Sequence, residues 1–172
     1  HTLTSNPSAA EQLLTNWLKQ HPKDLGVRMY SAENHQANGR NKEAIAQYQT
    51  ILQLAPQHAI ALNNLAGLYQ REGNARALAT AEQALKLAPE NPAIQDTLGW
   101  ILVEQGQAQR GLEHLSRALA QSPKNEGIRF HHAMALARNG DKSRARKELE
   151  LLLKEAPTFS DAEAARKQLQ SL

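Results

Sequence analysis

The sequence predicts an all-α solenoid of stacked helix-turn-helix units, and three observations predict it. Pro22, Pro56, Pro89, Pro123 and Pro157 stand 34, 33, 34 and 34 residues apart. Gly39, Gly73, Gly106 and Gly140 fall between them at the same interval. Apolar residues recur at helical spacing in the stretches between these marks. Self-similarity at such a period means one supersecondary unit copied and stacked, whose function is a surface spread over several copies rather than one catalytic pocket.

Along the chain, Ala10, Leu14 and Trp17 ahead of Pro22 predict, over residues 8–22, the second helix of a unit whose first half is missing. The chain therefore reads as a fragment that starts within a repeat, with any targeting signal upstream. Four units follow at 25–58, 59–91, 92–125 and 126–159. In each, a first helix runs from Pro to Gly, as with Ala61, Leu62, Leu65, Ala66 and Tyr69, and a second from Gly to the next Pro, as with Ala44, Ile45, Tyr48, Ile51 and Leu52. Proline lacks the amide donor and disfavours helix in the residue before it, so it ends a unit; glycine supplies the left-handed conformation of a helix terminus. Asn41, Asn74, Asp141 and Asn91, the last followed by Pro92, are the expected N-caps, and Ser160 with Glu163 has capping-box spacing. The second unit is one residue short, because Gly73 to Ala77 spans four positions where Gly39 to Ala44 spans five. Residues 160–171 read as a capping helix, so residues 1–172 form a single solenoid.

These residues resemble the tetratricopeptide repeat, whose fold is a right-handed superhelical solenoid. With each proline numbered thirty-second in its unit, the family's large apolar residue falls on Leu65 and Leu98. Its small neighbour falls on Ala32, Ala66, Gly99 and Ala133, and its tyrosine-like position on Tyr69, Leu102 and Leu136. In the second helices its alanine falls on Ala44, Ala77 and Ala145. Ser31, His35 and His132 depart from the pattern where large apolar residues are usual, which predicts looser packing of those first helices. Gly111 replaces the helix alanine, at a cost of about 1 kcal/mol unless it permits a closer helix contact.

Composition narrows the function. There is no cysteine, hence no disulfide, thiolate metal site or cysteine nucleophile. The net charge of +3 is mild, and its densest part, Arg138 to Lys147, is interleaved with Asp141, like a solvated ion-paired face rather than a nucleic-acid surface. No apolar run approaches the roughly 20 residues that cross a bilayer, and the opening HTLTSNPSAA lacks a basic start followed by an apolar stretch. Phosphate loops, HExxH and GxSxG are absent. His131 and His132 are adjacent, and neighbouring helical residues point about 100° apart, so they do not close on one ion. The expectation is a noncatalytic protein with no cofactor and no metal.

In the resembled family the second, fifth, ninth, twelfth and thirteenth positions of each unit face the concave wall. Here they collect Met29, Glu33 and Gln36, then Ile60, Asn63, Gly67, Gln70 and Arg71, then Asp96, Trp100, Val103 and Glu104, then Phe130, Met134 and Arg138. Trp100, Phe130 and Met134 are the expected apolar anchors for a protein or peptide partner, with Gly67 as a notch beside Trp100. The indole has two possible placements, on the groove or packed against the adjacent unit. Asn63 and Asn64 either bind an extended backbone or make bonds between repeats. The carboxylate clamp of one family subtype is not matched: Asn64 fits its middle Asn, but Met29, Glu33, Ala93 and Thr97 replace the other members.

The stretch from Ala61 to Leu115, with its short second unit and its DTLGWILVEQG segment, resembles the C-terminal region of repeat lipoproteins found beside bacterial PEP-CTERM/exosortase systems. That resemblance implies an envelope protein on the periplasmic side, tied to protein sorting and exopolysaccharide export. The leading expectation is a scaffold with a concave groove. The alternative is a structural spacer or self-assembly segment, favoured if Trp17 and Leu14 are exposed.

Overall fold

The computed structural model describes residues 7–172, with side chains from Ala9 onward; the reading of the first six residues as lacking a leader lies outside them. Ten helices follow one another: α1 (Pro7–Gln20), α2 (Leu25–Ala37), α3 (Asn41–Leu54), α4 (Ala59–Arg71), α5 (Ala77–Leu87), α6 (Pro92–Glu104), α7 (Ala108–Gln121), α8 (Glu126–Arg138), α9 (Lys142–Glu155) and α10 (Ala162–Ser171). No strand occurs among the described residues. The pairs α2–α3, α4–α5, α6–α7 and α8–α9 pack as hairpins, each hairpin packs on the next, and α4, α6 and α8 also touch in series. This is an all-α solenoid.

The punctuation works through the backbone. Gly39, Gly73, Gly106 and Gly140 have φ of 71°, 65°, 80° and 92°, the left-handed region where a Cβ is disfavoured. Asp141 accepts the Arg144 amide at 3.1 Å, and Asn91 accepts those of Ala93 and Ile94 at 3.0 and 3.3 Å, with Pro92 opening the helix. Three expected caps are corrected. Asn41 is the first residue of α3 and spends its amide on Glu72 at 2.6 Å. Asn74 accepts the Arg76 amide within a turn ahead of α5. Ser160 donates to the Asp161 carboxylate at 2.8 Å, and α10 starts after both, so no capping box forms. The residue missing from the second hairpin is accommodated at its turn and helix start: α5 has 11 residues where α3, α7 and α9 have 14.

Leucine and alanine do the packing. Ala44, Ile51, Ala61, Ala66, Leu68, Ala77 and Leu102 are fully buried in one continuous core. Gly111 has the compensation that its helix position demands. A Cβ there would stand 2.5 Å from Val103 Cγ2 and 2.6 Å from the Gly99 carbonyl oxygen, and one on Gly99 would stand 2.7 Å from Leu115 Cγ. Two glycines face each other where α6 crosses α7, and the backbones meet closely because neither carries a side chain.

A candidate concave binding site

The inner wall is formed by the first helices, and its most enclosed part is a cleft of about 370 Å³. Gly67, Gln70 and Arg71 of α4 form one side, Asp96, Thr97, Trp100 and Ile101 of α6 the floor, and Phe130, His131 and Asp161 the other side. The ninth residues of α4 and α6 explain its shape. Gly67 leaves open space where a side chain would stand, next to the bulk of Trp100.

Trp100 is half-buried, and its surroundings resolve the two placements into a combination. The His131 ring stacks on the indole at 4.5 Å between centroids and 14° between planes, while the Arg138 guanidinium lies 5.5 Å over it. His131 Nδ1 meets Asp96 Oδ1 at 2.8 Å. Arg138 pairs with Glu104 at 2.6 Å and donates to the Val103 carbonyl at 3.2 Å. The indole therefore packs on α8 and still borders the cleft, held between the His131 ring and the Arg138 guanidinium. Asp96, Trp100, Glu104 and Arg138 are joined into one network through His131, which sequence reasoning had set aside. The missed signal was its spacing: His131 lies 35 residues after Asp96, one period plus one.

A second cleft of about 290 Å³ adjoins the first and is lined by Glu33, Gln36, Ala37, Asn64 and Arg71. Arg71 borders both. It is exposed, and among the described residues its guanidinium has no ion pair or hydrogen bond. Behind this cleft, Asn63 donates to Asn64 at 3.3 Å, Asn64 to the Tyr48 hydroxyl at 3.1 Å, and Tyr48 to Gln36 at 3.3 Å. Burial raises the Tyr48 phenol above its ordinary range, against the Asn64 bond that lowers it.

Six expected wall residues need correction. Asn63 is 9% exposed and serves the internal chain of bonds. Val103 is buried by the glycine crossing. Phe130 is 5% exposed: the turn before α10 folds over it, with Phe159 tilted against it at 5.9 Å, so it backs one side of the cleft rather than serving as an anchor. Met134 is half-buried against the same cluster, which includes Leu149, Leu152 and Ala165. Met29 packs on the central core, and Ile60 is 38% exposed but lines neither cleft.

At the other end of the array, Ala10, Leu13, Leu14, Trp17, Val27 and Tyr30 line an apolar cleft of about 330 Å³. Leu13 is 66%, Trp17 47% and Tyr30 55% exposed, and the Trp17 indole donates to Asp24 at 2.8 Å. No cluster of three metal-ligating side chains occurs among the described residues, and the one hydroxyl beside the Asp96–His131 pair, on Thr97, donates back to the Ala93 carbonyl at 3.0 Å.

Two family models described as tetratricopeptide repeat match the chain, one over residues 4–65 and 102–169 and the other over 67–126. The TPR repeat-containing protein PA4667 of Pseudomonas aeruginosa is 36% identical over 125 residues, 68% of this chain and 20% of that protein. Cellulose synthase 1 operon protein C of Komagataeibacter xylinus is 25% identical over 163 residues, 90% of this chain and 12% of that protein. The chain thus spans a fifth or less of the length of these relatives. Among solved structures, TTC0263, a thermophilic TPR protein of Thermus thermophilus, superposes with a TM-score of 0.76 at 20% identity, covering 95% of this chain and 90% of that one. YrrB, a TPR protein with an unusual peptide-binding site, superposes with a TM-score of 0.67 at 25% identity, covering 87% and 77%.

Proposed function

The chain belongs to the tetratricopeptide repeat family, and from that premise we propose that it is a noncatalytic scaffold holding an extended segment of a partner protein along its concave clefts. The observation that carries the reading is continuity: two adjoining clefts share the unpaired Arg71, and the inner one ends on Trp100. Trp100 serves as the apolar anchor, Arg71 takes an acidic group of the segment, and Glu33, Gln70 and Asp96 set its polarity. The likeness to YrrB supports a peptide in such a groove. The test is a peptide-display selection on the wild type followed by calorimetry. Trp100→Ala is expected to weaken the best binder by at least about 2 kcal/mol, about thirtyfold. Unchanged affinity with helix content intact rejects the groove.

The resemblance to PEP-CTERM/exosortase-associated lipoproteins, together with the likeness to a cellulose synthase operon protein, supports a role in protein sorting or exopolysaccharide export on the periplasmic side of a bacterial envelope. Recovery of the native protein in the cytosolic fraction of its cells would overturn that placement. A second reading, self-association, is favoured by the exposed Trp17, although Leu14 is half-buried and the exposed apolar surface of the N-terminal cleft comes instead from Leu13 and Tyr30. Light scattering over a concentration series decides it, since a strictly monomeric chain removes it.

A further inference from the structure

Counted from the start of each first helix, the fourth, seventh and eleventh residues face the interior of the array. In α4 these are Leu62, Leu65 and Tyr69, all buried. In α2 they are Arg28, Ser31 and His35. Where the other hairpin has core, a pocket of about 230 Å³ remains between α1, α2 and α3, and Thr15, Lys19 and Gln47 complete its polar lining.

This pocket differs from a merely imperfect core in its charge. Arg28 is held by two neutral acceptors, Nε donating to the Pro22 carbonyl and Nη1 to Gln47 Oε1, each at 2.9 Å. The guanidinium is thereby fixed in place with its charge unanswered and further N–H groups free. Lys19 adds a second cation, and among the described residues the lining contains no carboxylate. Glu11, whose carboxylate senses His35, is committed to Arg40. Ser31 is 6% exposed, and its hydroxyl is not bonded back to the helix as those of Thr50, Thr97 and Ser116 are. His35 Nδ1 is buried without a partner. Arg28 is half-buried with N–H groups left over, and the buried Ser31 hydroxyl has no protein partner among the described residues, so an acceptor with several oxygens is what the pocket lacks.

The last hairpin supplies the control. Arg129 is also the fourth residue of its helix, but it donates to Glu155 at 2.6 Å, and its cleft is further lined by Glu126 and Glu148. The seventh and fourteenth residues of α9 are Glu148 and Glu155. In α3 the same places hold Gln47 and Leu54. The first hairpin has the arginine without the carboxylates.

We propose that the pocket between α1, α2 and α3 binds a small tetrahedral oxyanion, phosphate or the phosphoryl end of a small metabolite, through Arg28, Lys19 and Ser31. Arg28 and Ser31 reach the pocket from α2 and Lys19 from α1, and donors converging from two sides suit oxygens that point several ways better than a planar carboxylate. The site lies outside the concave clefts and does not depend on them.

The experiment titrates sodium phosphate into the protein at constant ionic strength and neutral pH, observed by NMR. Saturable shifts are expected at Ser31, Gln47 and the Arg28 side chain, and Arg28→Gln should weaken binding at least about tenfold. Lys19→Gln, on the exposed rim, should weaken it severalfold and keeps the test alive if the Arg28 variant fails to fold. Gln47→Glu should abolish binding by placing the carboxylate of the last hairpin in the anion's seat. Arg117→Gln, at another arginine without an ion pair among the described residues, should change nothing. Glycerol phosphate in parallel distinguishes the source: tighter binding than phosphate marks a metabolite's phosphoryl end, equal or weaker binding marks the free anion. No saturation by about 50 mM, shifts spread over all exposed cations, acetate binding as well as phosphate, or a Gln47→Glu variant that still binds would each overturn the proposal.

Discussion

Arg28 and Arg129 occupy the same place in the first and last hairpins, yet one rests against an amide and a carbonyl and the other against a carboxylate. Stacking copies geometry faithfully and copies electrostatics not at all. A polar residue in the interior stripe is answered locally, as Gln95 is by the Pro89 carbonyl at 2.6 Å and His114 at 2.7 Å, or it is left for something outside the chain. Because each hairpin touches only its neighbours, such differences stay local and the ends of one array diverge in stability and in function.

The largest contrast lies in packing. Leu149, the eighth residue of α9, is fully buried beside Phe130, Leu152 and Ala165. Truncation to alanine leaves a cavity and should cost about 2–5 kcal/mol in urea unfolding. Amide exchange should rise in α8 to α10 before it rises in α4 to α6. Its counterpart in α3 is Tyr48, where Tyr48→Phe keeps the ring and removes only the hydroxyl between Gln36 and Asn64, a loss of about 1 kcal/mol. Both residues are fully buried, so a Leu149→Ala loss no larger than that of Tyr48→Phe would show that Leu149 does not carry the packing of the last hairpin.

The paired arginines sharpen the comparison at a smaller scale. Arg129→Met leaves Glu155 and its acidic neighbours without a cation; since the Glu155 side chain is 52% exposed, the expected cost is only about 1 kcal/mol. Arg28→Met removes a cation that nothing in the chain neutralises and adds apolar volume to a cavity, so in phosphate-free buffer it should be neutral or slightly stabilising. Thermal melts of both variants check the sign, and a matching destabilisation would show that Arg28 is answered within the chain after all.

The hairpins were legible because proline and glycine act on the backbone directly, and the backbone repeats. Gly111 was legible in part: its cost follows from its place in a helix, but its partner Gly99 became visible only when α6 was seen to cross α7. Phe130 misled because register tells which face a residue occupies and not what covers that face; the turn at Phe159 did the covering. His131 was passed over because stacking on Trp100 depends on the offset between two successive helices, which no single unit displays. Arg28 gave no warning, since its meaning depends on Gln47 and Leu54 standing where Glu148 and Glu155 stand elsewhere.

The seventh residues separate the two ends by pH. Ser31 does not titrate in the physiological range, whereas His132 is 5% exposed with Nδ1 buried and unpartnered. Burial lowers the His132 pKa from its ordinary 6.5, Glu148 pulling it up and Arg144 down. The unfolded chain therefore binds this proton more readily than the folded one. The neutral imidazole's contribution is fully present above 6.5 and is lost as pH falls from there through the depressed folded value. His114, whose pKa burial also lowers, titrates in the same direction and remains as an internal reference. His132→Leu should accordingly lose less urea stability than wild type between about pH 7.5 and about pH 5.5. The change with pH is the readout, because the absolute gain from leucine mixes in packing. Parallel pH slopes for the two proteins would mean that the imidazole finds a partner when it protonates, and that the last hairpin compensates this residue as it does Arg129.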